Sequence, residues 1–274
     1  MLTVQIVLFD GFDLLDAIAP YEVFCAAAMN AENALSVEFV TAEGPRAVTS
    51  GINGLNIEAS GSLNPERAGI ILVPGAAGDV EGDGPDSIPA ILARAMNTEL
   101  TDRIGRALGQ KDIVVATVCG GSLLLAMGGL LEGRPAVTHH LGMNVLEATG
   151  AVSVSARVVD DGNLVSGGGV TSGLDVALYL VERELGPRIA HAVDGCSNLN
   201  GGGRFGEQQE WHLSVQKHGQ ATNRTSRRIK PQWLMSPRIT NSHRHPSSKA
   251  IGIRQSLRQL GNYRLSSPSQ HGMG

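Results

Sequence analysis

Cys119 follows the run Asp112-Ile113-Val114-Val115-Ala116-Thr117-Val118 and precedes Gly120-Gly121 and then Ser122-Leu123-Leu124-Leu125-Ala126-Met127. The β-branched run reads as a buried strand of a parallel sheet, and the Leu/Ala/Met pattern reads as a helix that starts at once. The junction leaves the cysteine in a tight turn at the sheet's C-terminal edge, with open amides of the helix start aimed at its sulfur. Those dipoles are expected to stabilise a thiolate, lower its pKa and make Cys119 a nucleophile. Gly120 and Gly121 are expected to keep the junction open, because a Cβ at either would crowd a substrate. The alternative is a free cysteine that serves as a small buried hydrophobe.

Two other residue types stand where chemistry collects. Asp16 falls between the end of a first strand, Val4 to Phe9, and a helix in which Pro20 suits the first turn. The C-terminal ends of strands are where open α/β sheets gather functional groups, although a helix cap or a solvated carboxylate explains Asp16 equally well. His139 follows the short strand Ala136-Val137-Thr138. A neutral imidazole there could orient the cysteine or bind substrate, and a structural histidine is an equal reading. His139-His140 is not read as a metal site, since neighbours on a strand point to opposite faces. The turn Pro74-Gly75-Ala76-Ala77-Gly78 could present amides to an oxyanion, which is a weak signal in isolation.

The elements that must hold these residues alternate strand and helix. Leu35 to Thr41 and Gly69 to Val73 are further strands, and Ala47 to Ile57 is a small hairpin around Gly51 and Gly54. Thr98 can cap a helix with Leu100, Ile104, Ala107 and Leu108 on one face and Gly109 at its end. A helix from about Leu141 to Ala148 closes at Gly150. Arg157 to Val165 is a hairpin turned by Asp161-Gly162, and a helix through Leu174 and Leu185 ends at Gly186-Pro187. Such alternation predicts a mainly parallel sheet covered on both faces. No GxGxxG followed by an acid marks a dinucleotide site.

The chain of 274 residues is 42% apolar, enough for one α/β domain and an appendage or for two small domains. Its net charge of −4 conceals a division. Residues 1–195 carry 10 Lys+Arg against 24 Asp+Glu, whereas residues 196–274 carry 12 against 2. A shift from −14 to +10 marks a boundary. Three cysteines without a CxxC pair imply neither a disulfide framework nor a zinc site. No signal-peptide pattern or membrane-length apolar run is seen, so a reduced, cytoplasmic, soluble protein is expected.

Together the strand–Cys119-Gly120-Gly121–helix unit, Leu15-Asp16 with Pro20, Pro74-Gly75-Ala76, Gly128-Gly129-Leu130-Leu131-Glu132-Gly133, Thr138-His139 and Asp161-Gly162-Asn163-Leu164 resemble the ThiJ/PfpI superfamily. The resemblance covers roughly Leu2 to Asp194. It implies a class I glutamine-amidotransferase-like domain over 1–194, with a flavodoxin-like three-layer α/β sandwich. The branch it resembles most is isonitrile hydratase, with the N-terminal domains of AraC-type regulators. That branch carries Asp where Asp16 stands, whereas many other members carry Glu. Peptidase-like members place His after the cysteine and isonitrile hydratase usually places Thr, and here the position is Gly120.

The resemblance implies that Cys119 and Asp16 meet at the sheet edge and titrate as a unit, with a thiolate facing a protonated Asp16. It implies a hydratase that converts an isonitrile and water into an N-substituted formamide. Cys119 would be the nucleophile and Asp16 the proton carrier, with Gly75, Ala76, Gly120 and His139 as substrate or oxyanion contacts. No cofactor and no metal are implied, and the partners expected are a small-molecule substrate and a second copy in a homodimer, with neither membrane nor nucleic acid. Two other classes remain: a non-catalytic small-molecule sensor of the AraC type, and a stress-responsive protein whose Cys119 oxidises to sulfinate. AraC-type regulators continue into two helix-turn-helix units, whose apolar periodicity the tail here lacks.

The segment 195–274 reads as a disordered basic tail. Trp211, Trp233 and Tyr263 could stack on nucleic acid, though a frameshift explains more. Members of this branch continue after the position of Asp194 with sequence like Phe-Glu-Tyr-Glu-Arg-Arg-Gly-Thr-Val-Trp. The chain reads Cys196-Ser197-Asn198-Leu199-Asn200-Gly201-Gly202-Gly203-Arg204-Phe205-Gly206. Codons for these residues, read one base earlier, can spell Phe-Glu-Phe-Glu-Arg-Arg-Gly-Thr-Val-Trp. A frameshift near Asp194 or Gly195 is therefore expected.

Overall fold

Seven strands form the central sheet of a computed structural model that describes residues 1–197 apart from 33, 81 and 83. In chain order the elements are β1 (Leu2–Val7), α1 (Leu14–Asn30), β2 (Leu35–Thr41), β3 (Arg46–Thr49), β4 (Asn56–Ala59), β5 (Gly61–Ser62) and β6 (Gly69–Val73). Next come α2 (Ile88–Met96), α3 (Leu100–Leu108), β7 (Ile113–Val118), α4 (Gly121–Met127), β8 (Pro135–Ala136), a 3₁₀ turn (His140–Gly142) and α5 (Met143–Ala148). The remainder is β9 (Val152–Ser153), β10 (Val158–Asp160), β11 (Leu164–Gly167), α6 (Ser172–Leu185) and α7 (Pro187–Ser197).

The sheet order is β10-β11-β7-β6-β1-β2-β5, parallel throughout except for β10 at one edge. β1 pairs with β2 on one side and β6 on the other, so the winding reverses between β1 and β6. In open α/β sheets such a reversal, beyond the strands' C-terminal ends, is where functional groups gather. Register brings those ends level, with Ile6 opposite Leu72 and Val73 opposite Thr117. Helices α1, α6 and α7 pack together on one face, and α2, α3 and α4 cover the other. The central strands are buried on both faces, and every residue of β6 is buried, which explains their unbroken apolar runs.

Several local expectations change. α1 begins six residues before Pro20, capped by Asp13, whose carboxylate accepts from the amides of Leu15 and Asp16. Pro20 therefore lies inside the helix and removes the amide that would bond the Asp16 carbonyl. Its ring fills the gap to α6, where a Cβ on Gly173 would stand 3.2 Å from Pro20 Cγ. α2, capped by Ser87, was not foreseen. The strand expected at Ala136 to Thr138 is the two-residue β8, which pairs with β9 outside the main sheet. Both expected hairpins form, β3–β4 and β10–β11, and Gly162 takes the positive φ of 73° that the second turn requires. α7 continues three residues beyond the boundary expected at 194. The tail beyond Ser197, including Trp211, Trp233 and Tyr263, lies outside the described residues. Among the described residues no helix is long and apolar enough to cross a membrane.

Candidate active site

Three segments meet beyond the C-terminal ends of the central strands: the loop from β1 into α1, the loop after β6, and the junction between β7 and α4. Cys119 occupies that junction with φ +54°. A left-handed conformation costs a non-glycine residue about 1–2 kcal/mol, so the surroundings must hold it. Its amide donates to the Gly167 carbonyl at 2.9 Å, and its carbonyl accepts from Thr138 Oγ1 at 2.7 Å. The residue is 7% exposed.

The glycines around it serve close packing. A Cβ on Gly121 would stand 2.2 Å from the Val73 carbonyl oxygen, so this glycine lets α4 approach the end of β6. A Cβ on Gly120 would meet nothing nearer than 3.5 Å. Crowding of a substrate, the reason expected for both, is thus replaced by backbone contact at Gly121 and by ordinary van der Waals contact at Gly120. Gly75 is also closely packed: a Cβ there would lie 2.5 Å from the Gly120 nitrogen and 2.9 Å from Asp16 Oδ2.

Asp16 is fully buried in the first turn of α1. Its Oδ2 accepts from the Gly75 amide at 2.9 Å, and the Gly75 carbonyl accepts from the Asp13 amide at 2.8 Å. Oδ1 has no hydrogen-bond partner among the described residues, and the Cys119 thiol lies in interaction range of this carboxyl. Burial pushes the carboxyl up to about 8; the Asp13 carboxylate adds to that, and the Gly75 and Cys119 bonds oppose it. Asp16 therefore keeps its proton at neutral pH.

Burial also pushes the Cys119 thiol up, and negative charge on Asp16 pushes it further, against the opposing Gly120 amide. This reverses the expectation of a lowered thiol pKa. α4 has only seven residues, and its dipole does not outweigh desolvation and a neighbouring carboxylate. The two groups share one charge between them, and the first proton leaves near pH 8.

The remaining candidates separate. The Gly75 amide is committed to Asp16, so Gly75 holds the acid and is not free to bind an oxyanion. The Ala76 amide has no acceptor among the described residues, and it lies 3.7 Å from where a Gly120 Cβ would stand. His139 is half-buried, and its Nδ1 accepts weakly from the Leu141 amide at 3.4 Å. Its ring lies 4.2 Å from that of His140. Burial and His140 lower its pKa, while Asp13 acts in the opposite sense, so the imidazole is neutral and within electrostatic reach of Asp13. No hydrogen bond joins it to Cys119 among the described residues. Sequence reasoning overlooked Asp13, though an acid three residues before Asp16 is the pattern of a helix start. It also gave no role to Thr138.

A cysteine on a strained turn beside a buried, proton-holding acid at a topological switch point decides the family once the sequence match is added. The DJ-1/PfpI family model matches residues 2–183. The chain belongs to the DJ-1/PfpI family. It is 40% identical over 124 residues to isonitrile hydratase of Pseudomonas putida, covering 45% of this chain and 49% of that protein. It is 28% identical over 143 residues to the HTH-type transcriptional regulator CdhR of Pseudomonas aeruginosa, covering 52% of this chain and 39% of the regulator. The matches thus span about half, or less, of these relatives. Among solved structures, a ThiJ/PfpI family protein from Pseudomonas syringae superposes with TM-score 0.60 and 25% identity, covering 74% of this chain and 77% of that one.

Proposed function

We propose that this DJ-1/PfpI protein is a cysteine-dependent hydratase that acts on isonitriles. The observation that carries the reading is Asp16 itself, a carboxyl wholly buried beside Cys119, protonated up to about pH 8 and with Oδ1 unpartnered among the described residues. Such a group donates a proton and afterwards accepts one. The resemblance to isonitrile hydratase supplies the substrate class.

The first proton to leave the pair is that of Asp16, and the carboxylate then draws the proton from the Cys119 thiol, so that the charge passes to sulfur for the attack. The thiolate attacks the terminal carbon of R–N≡C, forming the S–C bond, and Asp16 protonates that carbon to give a thioimidate. The carboxylate then takes a proton from water as hydroxide adds to the same carbon, and passes that proton to nitrogen. Collapse breaks the C–S bond and expels the thiolate, and the hydroxyl proton returns to Asp16. One water is consumed, and an N-substituted formamide leaves. The amides of Ala76 and Gly120 are the donors for charge that develops on the adduct.

A second reading, a binding domain without turnover, is favoured by the match to CdhR. One assay separates them: purified protein is offered alkyl isonitriles, with methylglyoxal as the competing substrate class, and products are read by mass. Formamide production that disappears in Cys119→Ala supports the hydratase. Saturable binding without product supports the sensor domain, and lactate from methylglyoxal alone overturns the isonitrile assignment.

A further inference from the structure

We propose that Thr138 is a positioning residue for Cys119: its hydroxyl pins the nucleophile's carbonyl and so holds the sulfur against the Asp16 carboxyl. Cys119 lies just before the start of α4, and its carbonyl takes no part in the helix bonds. A buried carbonyl without a partner is costly. Thr138 Oγ1, on a side chain only 1% exposed, meets it at 2.7 Å. With the amide held by Gly167 at 2.9 Å, both backbone polar groups of Cys119 are tied to segments outside its own turn.

Those tethers are fixed points. Val137, the neighbour of Thr138, has its amide bonded to Ser166 Oγ at 3.0 Å and its carbonyl to Ser122 Oγ at 2.7 Å. Ser122 also meets Thr117 at 2.6 Å, inside β7. The chain carrying Thr138 is therefore riveted to β11, α4 and β7. Without the Thr138 hydroxyl, Cys119 at φ +54° has a favourable route back to the right-handed or extended region. Rotation about its N–Cα bond swings the Cβ and sulfur away from Asp16 and uncouples the two titrations.

The inference rests on the reading of Cys119 and Asp16 as a coupled pair, and its readout is alkylation of the thiol, which needs no substrate. The full chain is treated with iodoacetamide from pH 6 to 10, and modification at Cys119 is followed by peptide mass. In the native protein the rate is expected to rise with a half-point near pH 8, as the Asp16 carboxyl dictates. Thr138→Val, isosteric but without the hydroxyl, is expected to move that half-point by about one pH unit and change the rate at pH 8 by about tenfold. Thr138→Ser is expected to restore both. Ser166→Ala, which removes a bond of the same network that does not touch Cys119, is expected to lower the denaturation midpoint and leave the profile in place. Should Thr138→Val fail to fold, Thr138→Ala is read in the same way.

The proposal is overturned if the Thr138→Val profile coincides with the native one, if Thr138→Ser fails to rescue, or if Ser166→Ala moves the profile equally. A native profile with no inflection near pH 8 overturns the coupled-pair reading itself, so the two failures are told apart.

Discussion

Gly75 and Asp16 stand 59 residues apart in the chain, and the amide of the first donates to the buried carboxyl of the second at 2.9 Å. The same glycine lies so near the cysteine turn that a Cβ would come within 2.5 Å of the Gly120 nitrogen. One residue thus holds the acid and sets its spacing from the nucleophile.

Gly75→Ala is accordingly expected to cost about 1–3 kcal/mol, the range of overpacking in a rigid core. Its contacts are backbone and a fixed carboxylate, neither of which yields as a flexible side chain would. Activity should fall further than stability, because Asp16 loses its orientation. Urea denaturation beside turnover checks this, and a variant of native stability and rate contradicts it.

Gly120 and Gly121 should part company. Gly120→Ala meets only ordinary contacts and is expected to stay within about 0.5 kcal/mol of the native protein. Gly121→Ala drives its Cβ into the Val73 carbonyl and is expected to lose at least about 2 kcal/mol. Equal melting temperatures for the two would refute the packing account.

The Asp16 carboxyl sets the sign of a pH dependence. In the unfolded chain it ionises near its ordinary value of 3.8, and in the fold it keeps its proton to about 8. Between those values the folded state binds more protons, so this group's contribution is complete below pH 4 and is lost progressively up to about pH 8. Asp16→Asn preserves the shape and an acceptor for Gly75. It is expected to stabilise the protein at pH 8 by at least about 1.4 kcal/mol, to flatten the slope from pH 4 to 8 and to abolish turnover. A variant that retains most of its activity would remove Asp16 from the proton transfers.

Cys119 is expected to be the thiol whose alkylation tracks the loss of a proton near pH 8. Cys25 is half-buried in α1, and burial pushes its thiol up as well. Peptide mapping after limited alkylation at pH 8 should find Cys119 labelled ahead of Cys25, and the reverse order would contradict the site.

Resequencing the gene around the codons for Asp194 and Gly195 tests the origin of residues 195–274. The alternative frame is expected to continue as Phe-Glu-Phe-Glu-Arg-Arg-Gly-Thr-Val-Trp. Immediate stop codons in that frame would dispose of the frameshift.

Much of the framework was legible because it is local. Leu35–Thr41 and Gly69–Val73 form strands with the expected bounds, and the helix face of Leu100, Ile104 and Ala107 is buried as its period requires. Cys119 at a strand–helix turn and Asp16 at a helix start were likewise visible, since strand ends before glycines are written in adjacent residues. Pro20 misled, because its ring usually opens a helix and here fills a tertiary gap against Gly173. Only the folded chain decided the rest. The Gly75 amide reaches Asp16, and Thr138 reaches the Cys119 carbonyl, through hydrogen bonds between distant segments. The direction of the thiol's pKa followed from burial, which no spacing of residues reports. The sequence placed an acid and a sulfur at the ends of two strands; packing made the acid neutral and bound the sulfur's titration to it.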